Sequence, residues 1–526
     1  MHHIIIGAGP AGVIAAETIR KHAPSDQITL IGEEKETPYS RMAIPYLLVG
    51  NVAEQGTHLR KSASHFKDLN INLVQAQVKS AQAATKTIAL SNGQSMTYDR
   101  LLIATGSTPM RPPIPGMDSP NIYSCWTLAD ARSIMDKVKP GSRVLQMGAG
   151  FIGCIIMEAL AARIQTNKTG KLSVVEMGDR MVPRMMGPAA GGMIKTWCQS
   201  KGVDVFTGAK VESIAVGGAQ AGAASSAVGS GTTGSTVGAG ASAASAVGMT
   251  PMPSAPTGLF GKIANALGFG PSSASTVEAH AANASTSAST TATAHAAASS
   301  SAASVSTGTS GGAPLRAKLS NGQTIEADVI ISATGVKPTI GFLQGSGIKT
   351  NIGVLTDDRM QTSMEGVYAA GDCAEAFDNF TGTSVVSAIQ PNAADQARIA
   401  ALNMVGQNAS LRQVTQINVL DTLGLVSTSF GSWQGVPGSE QIELKDDKAY
   451  KLLSMQFKDD IMVGCNSIGW TDHIGAIRGL VEGKVKLGEW KAKLKADPTQ
   501  LMAAYLATAQ AQGQWSGAQD ARKRGV

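Results

Sequence analysis

Two glycine clusters carry the clearest chemistry in the chain. Gly7-Ala8-Gly9-Pro10-Ala11-Gly12 follows the apolar run His3-Ile4-Ile5-Ile6, and Gly148-Ala149-Gly150-Phe151-Ile152-Gly153 follows Arg143-Val144-Leu145-Gln146-Met147. A buried strand running into G-x-G-x-x-G and then a helix is a dinucleotide fingerprint. The first glycine permits a tight turn, the second lets backbone approach a pyrophosphate, and the third lets helix and strand pack closely. The helix N-terminus adds free N–H groups and partial positive charge for the phosphates. Each copy is followed by a spaced carboxylate: Ile28 to Ile31 ends at Glu33, twenty-one residues past Gly12, and Ser173-Val174-Val175 ends at Glu176, twenty-three past Gly153. Such a carboxylate accepts from ribose hydroxyls. At Glu176 it also repels a 2′-phosphate, so NADH is expected over NADPH, with Arg180 near enough to soften the preference. One such motif is weak; two complete copies are specific.

The elements that position these loops also repeat. Thr87 to Gly106 reads TIALSNGQSMTYDRLLIATG and Ala317 to Gly335 reads AKLSNGQTIEADVIISATG, with fourteen residues from Asn92 to Gly106 and from Asn321 to Gly335. Asn-Gly between alternating strands predicts a two-residue hairpin with positive φ at both turn residues. The same unit therefore occurs twice. In the second copy the strand Val211 to Val216 is separated from its partner by Gly217 to Ala313, almost entirely Ala, Ser, Gly, Thr and Val. That composition cannot offset ordering entropy, so the stretch reads as a disordered insert extruded from a surface β-meander. Within it, Leu259, Phe260, Ile263, Leu267 and Phe269 recur at helical spacing, either as a docking element or as an idle apolar patch.

Composition narrows the class. The chain has 526 residues, enough for two or three domains, and a net charge of +6 from 44 basic and 38 acidic side chains. No basic patch interleaved with aromatics is present, so nucleic-acid binding is not expected; Lys484 to Lys495 reads as one solvated helix face. The five cysteines, Cys125, Cys154, Cys198, Cys373 and Cys465, form no C-x-x-C pair. This argues against a local metal site or disulfide framework and for a reducing, cytoplasmic setting. His2 and His3 read as strand-end residues rather than metal ligands, and no metal is expected. No apolar run is long enough to span a membrane.

Together the motifs resemble the two-dinucleotide flavoproteins of the pyridine-nucleotide oxidoreductase family, over Met1 to about Gly406 without the insert. The resemblance includes Ala104-Thr105-Gly106, Ala333-Thr334-Gly335 and Gly366-Val367-Tyr368-Ala369-Ala370-Gly371-Asp372, the last similar to the family's second FAD motif, whose aspartate holds the ribityl chain. It implies an α/β fold of two Rossmann-like domains plus a small C-terminal α+β domain. The FAD domain is discontinuous, at residues 1–110 and 336–410; the NAD domain is 111–335 with the insert at 217–313; an interface domain is 411–526. FAD is then expected at Gly7, Gly9, Pro10, Ala11, Gly12, Glu33, Arg41, Val78, Ala104, Thr105, Gly106, Gly371, Asp372 and Ala393. NAD(H) is expected at Gly148, Gly150, Phe151, Ile152, Gly153, Glu176 and Gly335. By the same resemblance a helix starting around Ala393 faces the flavin pyrimidine edge, where its positive end stabilises developing charge.

Two departures bear on activity. The segment Pro38-Tyr39-Ser40-Arg41-Met42-Ala43-Ile44-Pro45-Tyr46 is similar to the stretch that bears one redox cysteine in NADH oxidases and coenzyme A-disulfide reductases, and here Met42 stands in its place. A thioether cannot cycle between thiolate and disulfide. Many relatives carry glutamate two residues after the last glycine of the NAD motif; here it is Ile155. Catalytic acid–base residues are therefore unassigned. The remaining chemistry, hydride transfer from nicotinamide to flavin, needs stacking and orientation rather than a protein acid.

From Leu411 onward, alternation over Tyr450 to Phe457, a turn at Asp459-Asp460 and a partner at Ile461 to Cys465 predict a hairpin. Helices are expected at Thr471 to Glu482, Leu487 to Lys495 and Leu501 to Ala511. This region resembles the C-terminal domain of nitrite-reductase-like flavoproteins and of flavin subunits of ketoacid- or aldehyde-oxidising complexes, in which it packs at a subunit interface and covers the flavin. The expectation is an NADH:acceptor oxidoreductase exchanging electrons with a protein or small molecule, as a homodimer or the flavin subunit of a redox complex. The alternatives are an oxidase or peroxide-type reductase, and a redox-dependent binding protein with weak turnover.

Overall fold

The computed structural model describes residues 1–165, 168–217, 314–378, 382–411, 414 and 417–508. The expected docking residues between Leu259 and Phe269, and nearly all of the insert, lie outside them.

Two five-stranded parallel sheets share the order of four strands and differ in the fifth, an edge strand that comes last in the chain order of the first sheet and first in that of the second. In the first, His2–Ile6 lies between Arg100–Ile103 and Gln27–Gly32, with Val367–Ala369 and Ile71–Gln75 at the edges. In the second, Arg143–Met147 lies between Val329–Ser332 and Lys171–Glu176, with Ile122–Tyr123 and Val203–Thr207 outside. Their strands are near-continuous apolar runs because both faces are covered; in the second sheet Val144, Leu172 and Val329 pack with helix residues such as Ile156 and Leu160, while Leu145, Met147 and Ile330 pack with Val211, Ile214 and Leu319. The central strands feed the helices Pro10–His22 and Phe151–Ile164. A two-stranded ribbon, Ser107–Pro109 against Val336–Pro338, joins the places where the chain leaves and re-enters the first unit.

The repeated meanders form as read: Val78–Gln82, Thr87–Leu90 and Ser95–Thr97 in one copy, and Val211–Val216, Leu315–Leu319 and Thr324–Ala327 in the other. The turn chemistry differs from expectation. Only Gly93 and Gly322 take positive φ; Asn92 and Asn321 do not. The Leu90 N–H donates to the Gln94 carbonyl and the Gly93 N–H to the Leu90 carbonyl, which closes a three-residue loop rather than a two-residue one. The asparagine instead accepts the Gln94 or Gln323 N–H through its side chain.

The C-terminal region is a five-stranded antiparallel sheet with Lys451–Lys458 and Ile461–Ile468 at its heart and the helices Ile474–Glu482, Glu489–Ala496 and Leu501–Thr508 on one face. Its other face packs on the second parallel unit and on a short helix of the first: Leu420, Leu425, Leu452 and Ile468 share a core with Ile156 and Leu160 and with Leu48 of Ile44–Val49. Each such fully buried aliphatic side chain contributes about 1.5–3 kcal/mol. Polar pins add register. Trp197 donates its indole N–H to the Thr422 and Leu423 carbonyls, and Asn466 accepts from the Gly187 N–H while donating to the Met185 carbonyl.

A cavity built on the first glycine loop

A cavity of about 480 Å³ opens above the first glycine loop, a typical size for a ligand pocket. Its wall contains every residue expected at FAD except Gly12: Gly7, Gly9, Pro10, Ala11, Glu33, Arg41, Val78, Ala104, Thr105, Gly106, Gly371, Asp372 and Ala393. Phe151 and Ile152 reach the same wall from the second glycine loop. The helix Gln390–Met404 starts three residues before Ala393, because Pro391 suits the first turn, and its N-terminal Gln390 also lines the cavity.

The loop geometry fits an extended dinucleotide. A Cβ on Gly7 (φ +114°) would overlap the Ala104 carbonyl, and one on Gly12 the Gly7 carbonyl, so both contacts require glycine. Gly9 differs: a Cβ there would meet nothing within 4 Å, which leaves open space at the helix N-terminus for a phosphate. Glu33, exposed after its strand, accepts from Gln77 at 2.9 Å. Across the cavity Asp372 accepts from the Ser107 hydroxyl at 2.8 Å, and burial raises its pKa.

Apart from Phe151 and Ile152, the NAD set lies outside that wall. Gly148, at φ +98°, would overlap the Ala333 carbonyl with a Cβ, and Gly150 again faces open space. Glu176 accepts the Ala149 N–H at 2.7 Å and the Gly178 N–H at 2.8 Å, so its carboxylate is held against the loop. Gly335, at φ +112°, follows Ala333 and Thr334 beside that loop. Arg180, expected near enough to soften the preference, is bonded within its own loop. Its guanidinium donates to the Met186 and Pro183 carbonyls and pairs with Asp179, and is therefore committed to its own loop.

Met42 and Ile155 both face the cavity, Met42 with 48% exposure. All five cysteines are unpaired and buried. Burial pushes the Cys154 and Cys373 thiols up. Cys125 does line the cavity, and burial, helped by Asp130, pushes it up to about 12. His3 is buried against Asp26 at 2.8 Å. Among the described residues no cluster of His, Cys, Asp or Glu could hold a metal, and no helix is long and apolar enough to cross a membrane.

The motifs left several lining residues unread. Trp126, Cys125, Ser107, Thr339, Gly341 and Phe342 come from connections whose approach depends on the chain's return between the two sheets. The C-terminal sheet, expected near the flavin by resemblance, supplies no residue to this wall: among the described residues none after Ala393 lines it.

Residues 1–259 and 274–397 match the model of the pyridine nucleotide-disulphide oxidoreductase family. The chain belongs to that family. Its members' chemistry makes it an FAD-dependent oxidoreductase that uses NAD(H). The chain is 26% identical to an NADH-dependent phenylglyoxylate dehydrogenase subunit epsilon of Aromatoleum evansii, over 94% of this chain and 95% of that one. It is 24% identical to an NADH oxidase of Methanocaldococcus jannaschii, over 89% and 88%. Among solved structures, the covalent putidaredoxin reductase–putidaredoxin complex matches with a TM-score of 0.71 at 17% identity, covering 96% of this chain and 99% of that one. That likeness shows the shared two-dinucleotide fold.

Proposed function

We propose that this family member passes electrons from NADH to a protein acceptor or partner subunit, through FAD held in the cavity above the first glycine loop. The observation that carries the reading is the cavity wall at Met42 and Ile155, which offers neither thiol nor acid, while the lining thiol of Cys125 stays protonated at neutral pH. Bound FAD supplies the hydride acceptor and the outlet for electrons. The chain's own residues bind and orient. The Gly7 to Gly12 loop and the first turn of Pro10–His22 hold phosphates, Glu33 takes ribose hydroxyls, and Asp372, fixed by Ser107, takes the ribityl chain. Arg41, Val78 and Ala104 to Gly106 form the remaining wall, and the helix that includes Ala393 presents its N-terminus to the ring. Gly148 to Gly153, Glu176 and Gly335 hold NADH.

The joining ribbon supports domain limits near residues 110 and 336, with the interface domain from 411. The names of the Aromatoleum subunit and of the putidaredoxin reductase complex support a protein partner, and five unpaired thiols fit a reducing, cytoplasmic setting.

The test is anaerobic stopped-flow. NADH is expected to bleach the bound flavin quickly, and a small one-electron carrier protein to restore its colour much faster than dissolved oxygen does. Protein that stays yellow with NADH would refute the reading. Direct oxygen reduction, favoured by the Methanocaldococcus relative's name, instead predicts rapid NADH consumption with oxygen alone.

A further inference from the structure

Trp126 belongs to no motif, yet it touches both ends of the cavity wall. Cys125 before it takes a left-handed φ of 53°, and Thr127 after it caps the helix Leu128–Lys137. The Trp126 N–H donates to Asp130 Oδ2 at 2.9 Å, so the capping box of that helix fixes the tryptophan backbone. The side chain then reaches out of the second unit into the cavity of the first.

Two groups depend on it there. The Arg41 guanidinium lies 5.4 Å from the Trp126 ring centroid, donates to the Trp126 carbonyl at 2.7 Å, and pairs with Glu34 at 2.7 Å. Tyr39 accepts from the same guanidinium at 3.3 Å, so Trp126 supplies the ring and carbonyl contacts of an arginine that Glu34 and Tyr39 hold from the other side. The indole Nε1 donates to the Ser107 carbonyl at 3.2 Å, and the hydroxyl of the same serine donates to Asp372. A binding wall ordered before its ligand arrives loses less entropy on binding.

We propose that Trp126 is a positioning residue for FAD, acting through Arg41 on one side and through Ser107 on Asp372 on the other. The inference rests on the reading of this cavity as the FAD site. It also makes the capping box of a helix in the second parallel unit part of the wall that receives FAD in the first.

The test is titration of FAD-stripped full-length protein with FAD, followed by flavin fluorescence, alongside the melting temperature of the stripped protein. Trp126→Ala should weaken FAD binding by about tenfold, the size expected for one cation–π contact and one hydrogen bond. Trp126→Phe keeps an aromatic ring over Arg41 and loses only the donor to Ser107, so it should weaken binding by about threefold. Both should leave the melting temperature of the stripped protein unchanged. Wild-type affinity in Trp126→Ala overturns the proposal, as does a loss that merely tracks a lowered melting temperature. If Trp126→Ala does not fold, Trp126→Phe decides, and wild-type affinity there overturns it. A wild-type protein that takes up no FAD would sink the reading of the cavity instead, a separate outcome.

Discussion

In both glycine loops the first and third glycines are jammed against backbone and the second faces open space, yet the surroundings differ. Ile5 packs in the apolar core beneath the first loop, whereas its counterpart Gln146 donates to the Gly148 and Gly153 carbonyls at 2.8 and 2.9 Å. Glu33 stands clear of its loop on Gln77, whereas Glu176 is bonded back onto the second. One turn further along the helices, Glu17 is gripped by Arg60 and His65, while its counterpart Glu158 faces Asp421. The first loop is thus shaped by packing against the sheet, and the second by polar clips that hold its form without a ligand. A cofactor that stays bound can help to order its own site; a substrate that comes and goes gains from a site already ordered.

The glycines give the largest test of this contrast. Gly7→Ala is expected to yield colourless protein. Gly148→Ala should keep the flavin and slow its bleaching by NADH about a hundredfold, the equivalent of ~3 kcal/mol of backbone strain and clash. Absorbance spectra and stopped-flow traces of the two proteins would separate these effects, and the same phenotype in both would break the comparison.

A smaller effect is expected at Glu176. Glu176→Ala removes the clip to the Ala149 N–H of the loop and the repulsion of a 2′-phosphate. The ratio of kcat/KM for NADH over NADPH should fall about thirtyfold, or ~2 kcal/mol, with FAD affinity unchanged. An unaltered ratio would show that the carboxylate only braces the loop.

The smallest effect concerns Glu158, and it depends on pH. Burial, then the nearby charge of Asp421, raise its pKa from the ordinary 4.5 to about 7, against one hydrogen bond from the Leu423 backbone. Asp421 is itself raised by burial, and Tyr46 from the neighbouring helix Ile44–Val49 faces the same pair. Among the described residues no cation forms an ion pair with either carboxylate. The folded chain therefore holds a proton that the unfolded chain has released between pH 4.5 and about 7, and stability from this group is lost as pH rises through 7. Glu158→Gln should raise the melting temperature at pH 8 by about two degrees, or ~1 kcal/mol after discounting for solvent, and leave it unchanged at pH 5. Glu17→Gln should lower it, since two partners are lost. Equal responses would erase this part of the contrast.

Much of this is legible in the sequence. Glycine spacing, apolar runs and the repeated Leu-Ser-Asn-Gly-Gln segments report local backbone demands, and the parallel sheets and meanders follow from them. Arg143–Met147 forms as the strand expected of it, and the positions of Met42 and Ile155 fall together on one wall. Trp126 was invisible because its partners Arg41 and Ser107 are distant in sequence and meet it only through the docking of one unit on the other. The hairpin turns depart from the Asn-Gly expectation because the asparagine side chain bonds the backbone itself and spares its residue a positive φ. Arg180 looked available because sequence proximity does not show that three neighbours on its own loop absorb its guanidinium.

One ladder rung has a practical corollary. Val216 pairs directly with Leu315, and the Gly217 N–H reaches the Pro314 carbonyl at 2.7 Å, so the two ends of the long intervening segment emerge side by side. Closing a loop there costs free energy that grows only with the logarithm of its length. The edge of this meander is therefore a natural splice point, where a reporter domain could be grafted, or the native segment exchanged for a short turn, with the register of both strands preserved.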